Sequence, residues 1–320
     1  MYLNKVINDQ IIFLDKSKRP SSTYLSVDYI PDHFYYHDFK LYLKYLNIWE
    51  VSNMLTRILY PIDLSPRSQK GLLWITERVL KKGSQLVTVH IVDTAAGTET
   101  PRYAHDARIS LQTLCDTLIP EDISCKVIVK AGNILEDLPE VAHQEKCTFA
   151  IIPVRESSDP VPLVKKMAIP QFLLRARNGS FPEEDVFSRI VVAVDLSPER
   201  TYHLLENLKN ILADSEVSPQ ITLLHGVPLE DAGQSQELIH SATEALEEVR
   251  EEVSRWNPNT SSEIVSGQPE EELPGKIADL DPTLLVLGVS IHSEMWGLIL
   301  GSTAESLLEK ANYPVLIIPS

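Results

Sequence analysis

Two α/β domains, each a doubly wound parallel sheet and the second a copy of the first, are what this sequence predicts, on three observations. Short apolar runs such as Phe149-Ala-Ile-Ile152 alternate with amphipathic helical stretches, as strands buried on both faces of a parallel sheet alternate with the helices that cover it. The stretch Arg57-Ile-Leu-Tyr-Pro-Ile-Asp63-Leu-Ser-Pro66 returns, class for class, as Arg189-Ile-Val-Val-Ala-Val-Asp195-Leu-Ser-Pro198 at a spacing of 132. Farther on, His225 matches His90, Gly267 matches Gly132 and Gly288 matches Pro153, each at a spacing of 135. Anchors held in register over such a distance mark an internal repeat, with three residues inserted after its first strand.

The order of elements follows. Residues 1–50 form an extension crowded with Tyr24, Tyr29, Phe34, Tyr35, Tyr36, Phe39, Tyr42, Tyr45 and Trp49, with a loose helical pattern from Asp38. It reads as a helix docked on the next domain or as an aromatic partner-binding arm. Residues 51–176 make the first domain. Its strand ends at Asp63, and Leu64-Ser65-Pro66 opens a helix with Leu72, Leu73, Ile75, Val79 and Leu80 inward. A strand over 86–92, a helix over 104–118, a strand over 125–130 with a turn at Gly132, a helix over 134–145 and strands over 149–153 and 170–174 complete it. Residues 177–187 carry turn formers and acids and read as a linker. Residues 188–320 repeat the plan. A strand from Thr283 stops at Gly288, where a loop begins, and Gly301-Ser302 opens a helix with Ala304, Leu307, Leu308 and Ala311 at helical spacing before the last strand, Pro314 to Pro319. The final strand of each repeat would be an exposed apolar edge if left alone, so the two are expected to join edge to edge as an intramolecular pseudo-dimer.

Composition narrows the function. A net charge of −16 argues against nucleic acid as a partner, because phosphate contact needs clustered Lys and Arg. Cys115, Cys125 and Cys147 are odd in number and lack C-x-x-C spacing, which suits core thiols in a reducing compartment better than a disulfide frame or a zinc site. No apolar run approaches the ~20 residues of a membrane helix, and Met1 to Asp15 lacks the pattern of a signal peptide, so a cytoplasmic location is expected. The histidines are scattered without ligand spacing, and no metal set is expected.

The chemistry concentrates in Gly288-Val-Ser-Ile291 and, nine residues on, Gly301-Ser302-Thr303, together with Val-Ala-Val-Asp195. Each repeat resembles a universal stress protein domain, over about 57–175 and 189–319, and the loop is similar to that family's G-x2-G-x9-G-S/T signature for ATP. Gly288, Gly301 and Ser302 match; Ile291 stands where the second Gly belongs. The resemblance implies a Rossmann-like fold of the adenine-nucleotide hydrolase type, with Asp195 near the ribose or adenine, the backbone of Val227 toward the adenine, and Gly301, Ser302 and Thr303 on the phosphates of ATP, with magnesium. It also implies pairing of domains, with a further homodimer as one arrangement.

The same residues have a plainer reading as a strand-end turn, a capped helix and a helix-capping acid. Ile291 adds a branched side chain where close backbone approach is needed, Glu294 adds negative charge, and no Lys or Arg lies between Lys276 and Lys310. Ile291→Gly is therefore expected to strengthen ATP binding. In the first repeat only 17 positions separate Pro153 from Pro170, with no Gly, against 26 from Gly288 to Pro314, so that half has lost its loop and is not expected to bind ligand. His90 and His225 read as structural. The expectation is regulatory adenine-nucleotide binding in the second repeat with little or no hydrolysis; the alternative is a scaffold for a protein partner, without nucleotide. An ATP-cleaving enzyme lacks a visible S-G-G-x-D-S loop.

Overall fold

The computed structural model describes residues 5–7, 10–12, 55–93, 101–155, 158–176, 180–213, 218–229, 235–292 and 297–319. It divides into two units, 1–48 and 49–320. In the first, β1 (Lys5–Ile7) and β2 (Gln10–Ile12) pair antiparallel. The aromatic cluster and the helix expected from Asp38 lie outside the described residues.

The larger unit begins with β3 (Arg57–Pro61), α1 (Pro66–Arg78), β4 (Gln85–Asp93), α2 (Pro101–Leu118), β5 (Ser124–Gly132), α3 (Ile134–Gln144), β6 (Phe149–Val154), the short α4 (Val161–Val164) and β7 (Gln171–Arg175). The second repeat supplies β8 (Arg189–Ala193), α5 (Pro198–Leu212), β9 (Gln220–Pro228), α6 (Ser235–Ser254), β10 (Thr260–Gly267), α7 (Pro269–Asp279), β11 (Leu284–His292), β12 (Gly297–Ile299), α8 (Ser302–Lys310) and β13 (Val315–Pro319).

One sheet runs through both repeats in the order β10-β9-β8-β11-β13-β7-β6-β3-β4-β5, with β12 paired to β11 alone. Along that path every pair is parallel except β13 with β7, which meet antiparallel with Val315 opposite Leu173, Leu316 opposite Phe172 and Ile317 opposite Gln171. The edge-to-edge joining expected from the apolar terminal strands is thus the seam of the molecule. Because strand side chains alternate, Leu173 and Ile317 enter the core on one face while Phe172 and Leu316 enter the core on the other. Two cores were expected, one for each domain. There are two, but each covers one face of the joined sheet and draws on both repeats, the first including Leu59, Leu173 and Leu285 and the second Ile58, Phe172 and Val286.

Two buried polar side chains of β7 lie at the seam, one bonded within its own repeat and the other across to the second. Gln171 is fully buried and donates from Nε2 to the carbonyls of Val164 and Met167 at 3.0 and 2.9 Å. Arg175 donates from Nη2 to Leu308 O at 2.7 Å, placing a cation from the first repeat against the carbonyl end of α8 in the second, where the helix dipole favours it. The presumed linker is also docked. Phe181 packs on Trp74 with ring centroids 6.4 Å apart, and Trp74 Nε1 donates to Pro182 O at 2.8 Å.

The glycine anchors of the repeat have a common cause. Gly132 and Gly267 each end the third strand of their repeat, and in each the acid five residues on folds back over the bare Cα. A Cβ would lie 1.9 Å from Asp137 Oδ2 in one and 2.9 Å from Glu272 Cγ in the other. Gly288 is different. The strand does not stop there: β11 continues to His292, with Gly288 opposite Ile318 in mid-strand. Its missing side chain serves close helix packing, since a Cβ would already meet Leu204 Cδ2 of α5 at 3.4 Å.

Candidate functional site

In each repeat the first strand lies in the middle, with the second on one side and the fourth on the other, so the chain leaves in opposite directions from neighbouring strand ends. Such a switch point opens a crevice at the carboxyl ends of the strands. In the second repeat β8 ends at Ala193, opposite Leu224 of β9 and Leu287 of β11. Both neighbours run on, β9 to Pro228 and β11 to His292, and so wall the space above the end of β8. Asp195 stands at its floor, with Val227 on one wall and Gly288 on the other.

The turn carrying Asp195 is tightly specified. Val194 N–H bonds Leu224 O at 3.0 Å, and His225 Nδ1 donates to Val194 O at 2.8 Å, which fixes the backbone just before the acid. Leu196 then takes φ 59°, in the left-handed region, while Asp195 Oδ1 accepts from Ser197 N–H at 2.9 Å. The first repeat builds the same turn, with His90 Nδ1 donating to Ile62 O at 2.7 Å, Leu64 at φ 60° and Asp63 Oδ1 accepting from Ser65 N–H at 3.0 Å. The histidines hold carbonyls, in keeping with their structural reading.

The further partners of the carboxylate separate the repeats. Asp63 Oδ1 also accepts from Ser68 Oγ at 2.5 Å, and its Oδ2 pairs with Arg155, from beyond β6. Burial would raise its pKa, but the hydrogen bonds from Ser65, Ser68 and Arg155 outweigh that and hold it well below the usual carboxylate range. A depressed folded pKa contributes stability above the unfolded value of about 3.9 that is lost as pH falls below it. Asp63→Asn is therefore expected to lower the urea midpoint at pH 7, with the gap from the parent protein narrowing as the titration is repeated toward pH 3; a gap independent of pH would contradict this. Asp195 instead gives Oδ2 to Arg200 Nε at 2.6 Å, with both side chains about half exposed. An ion pair this open contributes little and exchanges readily with another donor.

The remaining residues lie past a hairpin that was read as a loop. β12 folds back antiparallel on β11, with Ile291 opposite Leu298, and Ile291 itself is 42% exposed. The hairpin rests on the first repeat: Leu298 N–H donates to Lys165 O at 2.8 Å, and Leu298 and Leu300 are buried in the core that also holds Val161, Leu163 and Met167. The segment shortened in the first repeat thus provides the seat for the longer one in the second. Gly301 is the N-cap of α8, with φ −78° and ψ 166°, no side chain caps the helix, and a Cβ built there meets nothing within 4 Å. Ser302 and Thr303 form its first turn, alongside Glu305, which pairs with Lys165 Nζ at 2.5 Å.

The register therefore brings Asp195, Val227 and Gly288 to one crevice, and places Gly301, Ser302 and Thr303 at an open helix start beyond the hairpin. Sequence reading missed Arg200 and Lys165. It sought cations only along the loop, whereas one is supplied by the helix after Asp195 and the other by the opposite repeat. Among the described residues no group of three His, Cys, Asp or Glu side chains could hold a metal ion, and no helix is long and apolar enough to cross a membrane.

Comparison with known proteins agrees with this architecture. A universal stress protein of Methanocaldococcus jannaschii is 26% identical over 165 residues, which is 48% of this chain and 92% of that protein. A universal stress protein from Archaeoglobus fulgidus superimposes with a TM-score of 0.57 at 19% identity, over 82% of this chain and 96% of its own. A functionally unknown protein from Pseudomonas aeruginosa gives 0.58 at 15% identity, over 85% and 95%. At such identities these structures speak to the fold. The model of the universal stress protein family matches residues 54–160 and again 187–319, more than half of the sequence, and the chain belongs to that family as a tandem member.

Proposed function

We propose that the second repeat binds an adenine nucleotide, ATP with magnesium, as a regulatory ligand with little or no hydrolysis. The observation that carries this reading is the open, uncapped start of α8 at Gly301. The first amides of a helix have no internal partners, and together with the helix dipole they favour phosphate. Asp195 supports it, since its exposed oxygen can leave Arg200 for a ribose hydroxyl and free the guanidinium for a phosphate. The backbone of Val227, on β9 beyond the end of β8, would border the base in this reading.

Equilibrium dialysis against ATP and magnesium tests the assignment. Asp195→Ala is expected to weaken binding about 10- to 100-fold, the value of a hydrogen bond to a charged group. Ile291→Gly is expected to tighten it by relaxing the hairpin beside the helix start. Affinity unaltered by both changes would place the nucleotide elsewhere. The second reading, a scaffold for a protein partner, is favoured by one observation: the segment spanning the signature is a paired hairpin seated on the first repeat. It predicts no binding at millimolar ATP.

A further inference from the structure

Cys115 lies in the last turn of α2, and Cys125 is the second residue of β5, the outer strand of the first repeat. The packing of α2 on β5 sets their sulfur atoms 2.8 Å apart, with the Cys125 thiol donating to Cys115 Sγ. Thr88 Oγ1, on β4, stands 3.6 Å from one sulfur and 3.7 Å from the other. Both cysteines are free thiols; Cys115 is buried, while Cys125 is only partly covered.

We propose that Cys115 and Cys125 are a redox-modification site, forming a reversible disulfide when the protein meets a hydroperoxide. Cys125, the less covered residue of the pair, attacks one peroxide oxygen; the O–O bond breaks, and the released hydroxide leaves as water with the thiol proton, giving a sulfenic acid. Cys115 Sγ attacks that sulfur, the S–S bond forms, and the displaced hydroxide takes the Cys115 proton as a second water. Two thiols are oxidised by two electrons and one hydrogen peroxide is reduced to two waters. A bond of about 2.05 Å needs the sulfurs to close from their present 2.8 Å. Cys147 is an internal control: it is buried on the opposite face of the sheet, where burial pushes its thiol up to about 11.

The test uses the full chain, freed of reductant and treated with one equivalent of hydrogen peroxide, then alkylated and mapped by mass spectrometry. Expected are a loss of two thiols per chain, an intact mass lower by about 2 Da, a peptide linking Cys115 to Cys125, an alkylated Cys147, and full recovery of thiols with dithiothreitol. Cys115→Ser is expected to stop Cys125 at the sulfenic acid, trapped with dimedone. Oxidation of Cys125 to sulfinic acid without a crosslink in the parent protein, a crosslink to Cys147, or three thiols untouched would each overturn the proposal, and none of these readings depends on how a variant folds.

Discussion

Leu173→Ala is expected to destabilise the protein by about 2–5 kcal/mol. Leu173 is fully buried on β7, opposite Val315 of β13, at the antiparallel seam between repeats. Its side chain enters the core that holds Leu285, Leu287 and Ile317 of the second repeat, so the cavity would open where the two halves meet. Strands pair on both sides of β7, which limits collapse around the void. Urea unfolding of the full chain checks this, with Leu238→Ala on the exposed side of α6 as a control expected within about 0.5 kcal/mol of the parent. A loss at Leu173 no larger than that of the control would mean that the seam does not bind the repeats together.

The second large effect runs against helix propensity. Alanine is favoured over glycine in a helix interior by about 1 kcal/mol, so Gly71→Ala in α1 would stabilise if propensity ruled. A Cβ at that position, however, would lie 2.6 Å from Tyr60 Oη and 3.2 Å from Phe181 Cζ. Tyr60 is fully buried and its hydroxyl donates to Ser68 O at 2.9 Å, so the ring moves only by giving up that bond. A net loss of about 1–3 kcal/mol is expected, the usual cost of overpacking. Gly275→Ala in α7 is the matched comparison: a Cβ there meets nothing within 4 Å, and a gain of up to about 1 kcal/mol is expected. Thermal or urea denaturation of the two variants should shift in opposite directions; a stabilised Gly71→Ala would refute the packing account.

Both cases show where the sequence was legible and where it was not. Apolar runs, the doubled Asp-Leu-Ser-Pro turn and the anchors held in register suffice for the repeat and the order of its elements along the chain, because local pattern constrains them. The seam was legible for a related reason: two apolar terminal strands need cover, and each is the other's nearest complement. Gly288 misled, because a glycine after an apolar run marks a turn as readily as a close helix contact, and only the position of Leu204 distinguishes them. The hairpin after it was hidden for want of alternating polarity in Ser290 to Ile299. Lys165, Arg200 and the Cys115–Cys125 pair were beyond reach, since each acquires its meaning from a neighbour that tertiary packing supplies.

The duplicated fold, with a partial signature in the second repeat alone, makes the number and place of bound nucleotides the most direct test of the functional account. The measurement is calorimetric titration of the full chain with ATP and magnesium, run in parallel on Asp195→Ala and Asp63→Ala. The prediction is one nucleotide per chain, weakened by the change at Asp195 and unaffected by the change at Asp63. Two nucleotides per chain, one that depends on Asp63, or no heat at millimolar ATP would contradict it.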